Sequence, residues 1–567
     1  MTYEFDRFLR YDELNEWLDG VAATHPELVS IETYGQSYEG RDLRLVTITD
    51  TSTGAHDTKP AHWVDASIHA VELTATVAAC RLIEHLVDGH ASGDVNVARA
   101  LATRTFYVVP RVNPDGAEWV LADEPRFRRS STRPWPRNDD RRWPGHYSAD
   151  VDGDGRILQM RVPDPNGQWM PHRDDARLLT AVPPTGPEPG TPRYRVFSEG
   201  LIEDYDGFTV PTPRPPEGLD LNRNYPAGWG TTVPGSGDHP LSEPEIDSLV
   251  RALVARPNVC GFNAFHTSGG FLLRPSSTQP DSKLPPNDVW AWKELAKIGT
   301  ELTGYPAHSV YEDFTWNPDE TMSGASDDWA YEHLGVFGWT TEFWDLIHAA
   351  TGEKASTKIW YTGPTPAQEI AALRWVDEQP TPADPRDASW VDWYEFDHPQ
   401  LGQVELGGWN GLRSWTNPPP HRLAAEVERH AEFAVAQALA APCLELAHTA
   451  VERLGDDADG VPAWRLDVGV LNSGWLPTNV TDRATAGNIV LPVEVEVMGV
   501  AADQILDGAS RRTLGQLGGS MSSMLAMASG PERAMATFTI RAPEGIKLEV
   551  EARHQRAGRQ RVTVRLA

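Results

Sequence analysis

The sequence predicts an α/β fold, a sheet sandwiched by helices, followed by a separate all-β domain. Up to about residue 440 of the 567-residue chain, short apolar strand patterns alternate with amphipathic helical patterns. This alternation is typical of a sheet that is covered by helices and carries its sites at strand ends. From Glu445 onward, short β runs alternate with turn residues, which is typical of a β-sandwich.

Each element follows from its local pattern. Helical spacing of apolar residues predicts helices at 12–25, Leu73–Leu86, Glu243–Ala255, Asp288–Leu302, Asp327–His333 and Arg422–Ala440. Strand patterns lie at Leu28–Thr33, Leu43–Ile48, His62–Ile68, Thr105–Val112, Val259–Phe265 and Gly335–Phe343. The clearest β runs of the last part are Trp464–Leu471, Ile489–Val497, Ala536–Ile540 and Lys547–Ala552.

One long segment lacks any period. Between about Ala122 and Gly218, Pro, Gly, Arg and Asp dominate, and a stretch of this kind inside a domain is usually a functional loop or an elaborated one. We therefore expect residues 1–442 to form one domain with a long loop insertion at 122–218. Residues 443–567 are expected to form an accessory β-sandwich domain.

Composition narrows the class of protein. The 50 Lys+Arg residues against 81 Asp+Glu give a net charge of −31, which argues against nucleic-acid and anionic-membrane partners because phosphate binding needs clustered cations. The three cysteines are far apart, so no disulfide framework is expected. The N-terminus lacks the pattern of a secretory signal. These observations predict a cytoplasmic protein, with leaderless export left open, and they do not indicate an oligomeric state.

Three groups suited to a transition metal follow strand patterns: His69, Glu72 and His266. Two histidines and a carboxylate leave one tetrahedral position of Zn²⁺ open for water, as in catalytic zinc sites. The alternative for the first pair is an exposed loop histidine beside a glutamate that favours a helix N-terminus.

Five segments occur in a fixed order, namely SIHAVE, VNPDG, LDLNRNYP, FNAFHTSGG and SDDWAYEHLGVFGWTTEFW. Together with the opening HPELVSIETYGQSYEGRDL, they resemble the zinc carboxypeptidase family of the carboxypeptidase A/B type, over roughly residues 5–440 apart from the insertion. The resemblance implies a mixed eight-stranded sheet sandwiched by helices. It also implies a metallocarboxypeptidase that holds one Zn²⁺ per chain and hydrolyses the last peptide bond of peptide or protein C-termini.

The same resemblance implies roles for single residues. Zinc would be held by His69, Glu72 and His266, and Glu342 of TTEFW matches the general base. Asn222 and Arg223 match the pair that holds the C-terminal carboxylate of the substrate. A guanidinium suits this task because it offers a planar fork to a carboxylate.

The oxyanion-stabilising arginine of the family lies 15 residues past the Asn of NPDG. Arg128 falls at that distance from Asn113 and is the assigned residue, with Arg126 and Arg129 as alternatives in the same run. The family's substrate-capping tyrosine would fall at position 320, which is Glu. Tyr311 could replace it only if the residues after it formed an extra loop.

Two further positions depart from the general pattern. Val71 stands where the family often has an arginine before the ligand Glu72. Asp327 stands at the base of the pocket for the terminal side chain, where an acid resembles the carboxypeptidase B subclass, which prefers Lys or Arg. A buried carboxylate would pair with a cationic side chain and reject apolar ones. A helix N-cap role for Asp327 is the alternative.

The insertion contains a candidate calcium loop at 150–161. Asp150, Asp152 and Asp154 with Gly155 have the spacing in which carboxylates converge on one Ca²⁺ while the glycine turns the chain. Arg161 occupies the twelfth position, where an EF-hand needs a bidentate Glu, so a full EF-hand is excluded. The alternative is a Gly/Asp turn without an ion.

Two rival functions fit the same motifs. One is a peptidoglycan or other unusual-amide peptidase on this scaffold, and the other is a catalytically silent peptide-binding protein. The C-terminal β region carries no catalytic cluster in its sequence. We expect it to support folding or interaction.

Overall fold

The computed structural model describes residues 3–136, 141–315, 317, 321–523 and 530–567. Its helices are α1 (Tyr11–Thr24), α2 (Leu73–Ser92), α3 (Val95–Thr103), α4 (Pro114–Val120), α5 (Pro244–Val254), α6 (Pro286–Thr303), α7 (Ser326–Trp329), α8 (Leu346–Thr351), α9 (Ile359–Thr362), α10 (Pro366–Asp377), α11 (Pro420–Val427), α12 (His430–Ala440) and α13 (Asp482–Ala486). Two π-helical turns lie at Val310–Phe314 and Ala330–Leu334. No helix among these described residues is both long and apolar enough to cross a membrane.

The strands of the first part are β1 (Val29–Gln36), β2 (Asp42–Ile48), β3 (Ala61–Ala66), β4 (Thr105–Val109), β5 (Gly145–Ser148), β6 (Gln159–Pro163), β7 (Trp169–Pro171), β8 (Leu179–Ala181), β9 (Tyr194–Ser198), β10 (Gly200–Glu203), β11 (Val259–Thr267), β12 (Phe271–Arg274), β13 (Ala307–Ser309) and β14 (Phe337–Phe343). Those of the second part are β15 (Trp390–His398), β16 (Gly402–Trp409), β17 (Leu444–Asp456), β18 (Pro462–Asn472), β19 (Val493–Met498), β20 (Arg511–Gly515), β21 (Arg533–Arg541), β22 (Lys547–His554) and β23 (Gly558–Arg565).

The centre of the first part is a mixed eight-stranded sheet with the order β1-β2-β4-β3-β11-β14-β12-β13. Its middle strands run parallel, from β4 through β3 and β11 to β14. Every residue of β3 and β4 is buried, because helices cover both faces of a parallel sheet. One core packs α2 and α12 against the sheet, and a second packs α5 against the opposite face. The predicted fold class is confirmed.

The parallel strands bring the candidate site together. In the ladder between β11 and β14, His266 lies directly beside Glu342. Strand β3 ends at the same edge and leads through His69 into α2. Since the carboxyl ends of parallel strands meet at one edge of a sheet, residues distant in sequence converge there.

The insertion differs from the predicted long loop. Strands β6, β9, β7 and β8 pair with β15 and β16 in a six-stranded sheet of order β15-β16-β6-β9-β7-β8, whose small core consists of Met160, Val162, Val404 and Leu406. Its insertion strands have only three to five residues. Their partner β16 pairs Glu405 with Arg161, far away in sequence. Strands this short, paired with a distant segment, leave no local period in the sequence.

A second difference from the sequence prediction concerns the last helix of the first part. The sequence predicts one helix over Arg422–Ala440, whereas the structure has α11 and α12, with a break at Glu428 and Arg429. Glu426 accepts a hydrogen bond from the Tyr305 hydroxyl, and Glu428 pairs with Arg81 of α2. These side-chain contacts tie the end of α11 to other elements at the point where the helix stops.

The last part consists of two antiparallel sheets, β17-β18-β21 and β20-β19-β22-β23. They enclose one core that includes Trp464, Phe538 and Val550, so the accessory region is a β-sandwich. A further core is shared with the first part, because Leu476 and Val480 pack with Trp292 of α6. The domain bounds 1–442 and 443–567 stay a prediction. Cys80, Cys260 and Cys443 are free thiols.

Candidate active site

Three predicted metal ligands converge in a buried cluster. Their ligand atoms lie within 4.8 Å of one another. Glu72 is 2.7 Å from Nδ1 of His69 through Oε1 and 2.9 Å from Nδ1 of His266 through Oε2, and the two Nδ1 atoms are 3.2 Å apart. Burial opposes ionisation of Glu72, but the neighbouring His69 and His266 hold its pKa low. Two imidazole nitrogens and a carboxylate aimed at one point are a donor set that fits Zn²⁺.

A second carboxylate, 13% exposed, contacts this cluster. Asp220 accepts from Nε2 of His69 at 3.2 Å through Oδ1 and from Nε of Arg129 at 2.8 Å through Oδ2. Burial raises the pKa of Asp220, yet the charges of Arg129 and His69 outweigh burial and leave the pKa well below its ordinary value. A carboxylate on the far nitrogen of a ligand histidine fixes its tautomer and ring orientation. Our sequence reasoning did not assign Asp220, although it is the first residue of the Asp220–Asn224 segment, DLNRN.

Glu342 lies beside the metal cluster. It lines the same pocket as His69, Glu72 and His266, and its Oε2 is buried without a hydrogen-bond partner among the described residues. Burial and then the nearby charge of Glu72 raise the pKa of Glu342 to about 8. A carboxylate with such a raised pKa can both take up and release a proton near neutral pH.

The predicted carboxylate-binding pair lies on the short helical turn Leu221–Arg223. The side chain of Asp220 caps this turn by accepting from the Asn222 amide. The side-chain oxygen of Asn222 accepts from the Ser326 amide at 2.9 Å. Arg223 donates through Nη1 to the Asn222 carbonyl at 2.7 Å. Both side chains line the pocket.

The assignment of Arg128 needs correction. Arg128 is buried away from the cluster, where its Nε donates to Glu217 at 2.7 Å, and it is not among the residues that line the pocket. Arg129 lines the pocket beside Glu72 and Glu342. The register is set by the backbone, because the Ala70 amide donates to the Arg129 carbonyl at 2.8 Å. The structure therefore places Arg129, one of the alternatives from the sequence, at the pocket, and the oxyanion role of this residue stays a prediction.

Asp327 lines the same pocket. Its carboxylate is buried and accepts from the Asp328 amide at 2.9 Å and from Oγ1 of Thr340 at 3.2 Å. Burial raises the pKa of Asp327 above its ordinary value. The walls nearby are apolar and comprise Leu273, Val310, Phe314, Met322 and Ala325. The N-cap alternative does not apply, since the N-cap of α7 is Ala325.

The whole cavity has a volume of about 340 Å³. Val71 lines it, at the position where the family often has an arginine. Tyr361 of α9 also lines it and is 47% exposed at its rim. No sequence signal indicated Tyr361, because only the fold brings α9 to the pocket. Glu320 lies outside the described residues. Tyr311 does not line the pocket, and its amide donates to the Ser276 carbonyl.

The candidate calcium loop is a compact turn away from this pocket. One oxygen each of Asp150, Asp152 and Asp154 lies within 4.8 Å of the others. The carboxylate of Asp150 accepts from the amides of Gly153 and Gly155, at 2.7 and 2.8 Å. Asp154 is paired with Arg156. This geometry fits both alternatives from the sequence, an ion-binding loop and a turn without an ion.

Comparisons with known proteins indicate the family of the chain. The model of the zinc carboxypeptidase family matches residues 14–360, and that of a domain of unknown function (DUF8731) matches residues 443–565. Carboxypeptidase B of Astacus astacus is 32% identical over 165 residues, which are 29% of this chain and 45% of that protein. Carboxypeptidase B of Bos taurus is 22% identical over 363 residues, which are 60% of this chain and 64% of that protein.

A further relative is an inactive metallocarboxypeptidase of Saccharomyces cerevisiae, 26% identical over 129 residues, 23% of this chain and 30% of that protein. The chain thus spans less than two thirds of the length of each of these relatives. The solved structure of bovine thrombin-activatable fibrinolysis inhibitor with a tick carboxypeptidase inhibitor is 16% identical, with coverage of 66% of this chain and 97% of that chain and a TM-score of 0.36. The family match extends over more than half of the chain, and the protein belongs to the zinc carboxypeptidase family.

Proposed function

We propose that the protein is an active zinc-dependent carboxypeptidase that releases C-terminal residues and prefers Lys or Arg at the terminus. The observation that carries this proposal is one pocket of about 340 Å³. The metal cluster, Glu342, the guanidinium of Arg129 and the buried carboxylate of Asp327 all line it. The residues assigned to zinc binding, catalysis and substrate binding line this cavity, except Arg128, whose role we give to Arg129.

The chemistry follows from the positions of the side chains. A zinc ion held by His69, Glu72 and His266 would supply a Lewis acid and an activated water. Glu342 takes a proton from the attacking water and passes it to the leaving amine. Arg129 holds the negative charge that develops on the carbonyl oxygen.

Exopeptidase specificity depends on how the substrate end is held. Asn222 and Arg223 bind the free carboxylate, so that only the last peptide bond reaches the metal cluster. A long aliphatic stem would pack against the apolar walls, and a cationic head would reach Asp327. Leaving that carboxylate without a cation is costly in a buried site, which disfavours apolar terminal residues. The net charge of −31 would also raise the local concentration of cationic peptides.

The first prediction concerns the general base. Glu342→Gln should keep its zinc and lose about 10²–10⁴-fold in kcat, because an amide cannot accept the proton. Zinc content by elemental analysis and release of the terminal amino acid from hippuryl-type peptides measure the two effects. Glu301→Gln, at an exposed residue of α6, is the matched control. A Glu342→Gln enzyme as fast as wild type would contradict the assignment. Wild-type protein that binds zinc and cleaves no peptide would indicate the silent peptide-binding alternative.

The second prediction separates two adjacent arginines. Arg129→Met should lower kcat by about 10²–10³-fold with little change in KM, since its guanidinium acts on charge that develops in the transition state. Arg128→Met should leave kcat near the wild-type value and lower only the melting temperature, because it loses the ion pair with Glu217. Equal losses of kcat in the two variants would reject the assignment of Arg129.

The third prediction concerns the base of the pocket. Asp327→Asn should reduce the ratio of kcat/KM for Lys-ended over Leu-ended peptides by roughly 10²-fold, the scale of losing one partner of a buried charge pair. In wild type the ratio should rise with pH, because the pKa of Asp327 is raised by burial and its carboxylate ionises while the substrate Lys stays charged. The ratio cancels ionisations that both substrates share, such as that of Glu342.

The control for this series is Asp503→Asn, at an exposed position of the β-sandwich. A ratio that is independent of pH in wild type, or equal in wild type and Asp327→Asn, would reject the preference for basic residues. A panel that includes D-amino-acid and γ-linked termini tests the unusual-amide alternative in the same assay.

A Ca²⁺ ion in the loop of Asp150, Asp152 and Asp154 stays a prediction. If the loop binds calcium, the ion at a hundred times its Kd should stabilise the folded chain by about 2.7 kcal/mol. Calcium should also protect the insertion from proteolysis. The double variant Asp150→Asn, Asp154→Asn should lose both effects, whereas Asp206→Asn, at an exposed residue of the same insertion, should keep them. No response of the wild type to calcium would favour the turn without an ion.

A further inference from the structure

The β-sandwich contacts the C-terminal end of the helical segment that carries Asp327. Helix α7 continues into the π-helical turn Ala330–Leu334, so residues 326–334 form one helical segment. Its first turn holds Asp327 at the pocket, and its last turn ends at Gly335. The chain then enters β14, which carries Thr340 and Glu342.

A buried arginine of the sandwich makes the central hydrogen bonds of this contact. Arg556 is only 3% exposed, and its guanidinium donates to the carbonyls of Leu334 and Gly335 and, at 3.1 Å, to that of Asn479. The last carbonyls of a helix lack partners within the helix and attract cations. Arg556 therefore satisfies the C-terminal end of the segment that presents Asp327 at its other end.

Two further residues of the sandwich contact the turn at Gly335. The Thr481 hydroxyl donates to the Gly335 carbonyl at 2.7 Å. Gly335 has a φ of +61°, and a Cβ there would lie 2.6 Å from the Cβ of Ala484. The sandwich thus leaves no room for a side chain at the turn between helix and strand.

A bridging carboxylate ties the middle of the segment to the same domain. Asp288 of α6 accepts from the Tyr331 hydroxyl at 2.8 Å. It also accepts from the amides of Asp482 and Arg483, at 2.7 and 3.1 Å, where α13 begins. Tyr331 of the segment and the N-terminus of α13 therefore share one buried acceptor.

The opposite end of the segment is packed just as closely. A Cβ at Gly338 of β14 would lie 2.5 Å from the Asp327 carbonyl oxygen, and Thr340 donates to the Asp327 carboxylate. A shift of the segment along β14 would therefore change the depth of the pocket and the distance between Asp327 and Glu342.

We propose that the C-terminal β-sandwich is a clamp that sets the specificity pocket, with Arg556 as its central positioning residue. By holding the end of segment 326–334, it fixes Asp327 against β14. The selectivity part of this inference rests on the proposed preference for basic terminal residues. The clamp itself is a property of the fold and is measured without activity.

The test uses the full chain with Arg556→Met, which removes the donors and keeps an apolar side chain of similar length. Hydrogen exchange of the Gly335 and Val336 amides, which donate to Tyr331 and Ala330, should speed up roughly tenfold. KM for Lys-ended peptides should rise roughly tenfold relative to Leu-ended ones, because small displacements in a pocket have effects of at least this size. Arg556→Lys, which retains donors, should recover part of both effects.

Two further variants keep the proposal falsifiable. Thr481→Val removes the hydroxyl that donates to the Gly335 carbonyl. It should shift the hydrogen exchange and the KM ratio in the same direction by a smaller factor, even where Arg556→Met folds poorly. Arg533→Met, at a side chain 71% exposed on β21, should change neither readout.

The outcomes separate the clamp from the proposed function. A folded Arg556→Met protein with unchanged exchange at 326–336 overturns the clamp, and faster exchange with an unchanged substrate ratio overturns its role in selectivity. If wild type cleaves no peptide, the proposed function fails. Faster exchange in the variant would then still support the clamp.

Discussion

The arrangement of the site depends on the hydrogen bonds that the carboxylate of Asp220 accepts. It accepts from the candidate metal ligand His69, from Arg129 and from the amide of Asn222. One carboxylate thereby orients a candidate metal ligand, the guanidinium beside it and the turn that would hold the substrate carboxylate. Arg129 and His69 hold the pKa of Asp220 well below its ordinary value despite desolvation, so the arrangement avoids the cost of an unpaired charge.

The other acidic residues that line the pocket differ in pKa. Glu72 is held ionised by two histidines, whereas burial leaves the pKa of Glu342 raised to about 8 and that of Asp327 raised above its ordinary value. The three acids share one pocket, and their neighbours give each a different tendency to hold a proton. Sites of acid and base chemistry are built in this way.

The segment next to the pocket also contacts the C-terminal β-sandwich. Strand β14 carries Glu342, and the segment before it carries Asp327. The turn between them is bonded to Arg556 and Thr481 of the sandwich. The shared core around Trp292 makes this contact extensive, which is unlike the loose association of two domains joined only by a linker.

The sequence by itself determined the class of fold, the family and most of the candidate site. His69, Glu72, His266 and Glu342 lie at strand ends, where local periodicity is strong and the parallel sheet brings the ends together. Only the tertiary structure decided which of Arg128 and Arg129 lines the pocket, because the register after α4 is set by a backbone bond to Ala70 and by pairing with Glu217 and Asp220. The insertion sheet also stayed hidden, since its short strands pair with β16 far along the chain. Contacts across long sequence separations leave no period in the sequence, and for that reason the fold alone decided them.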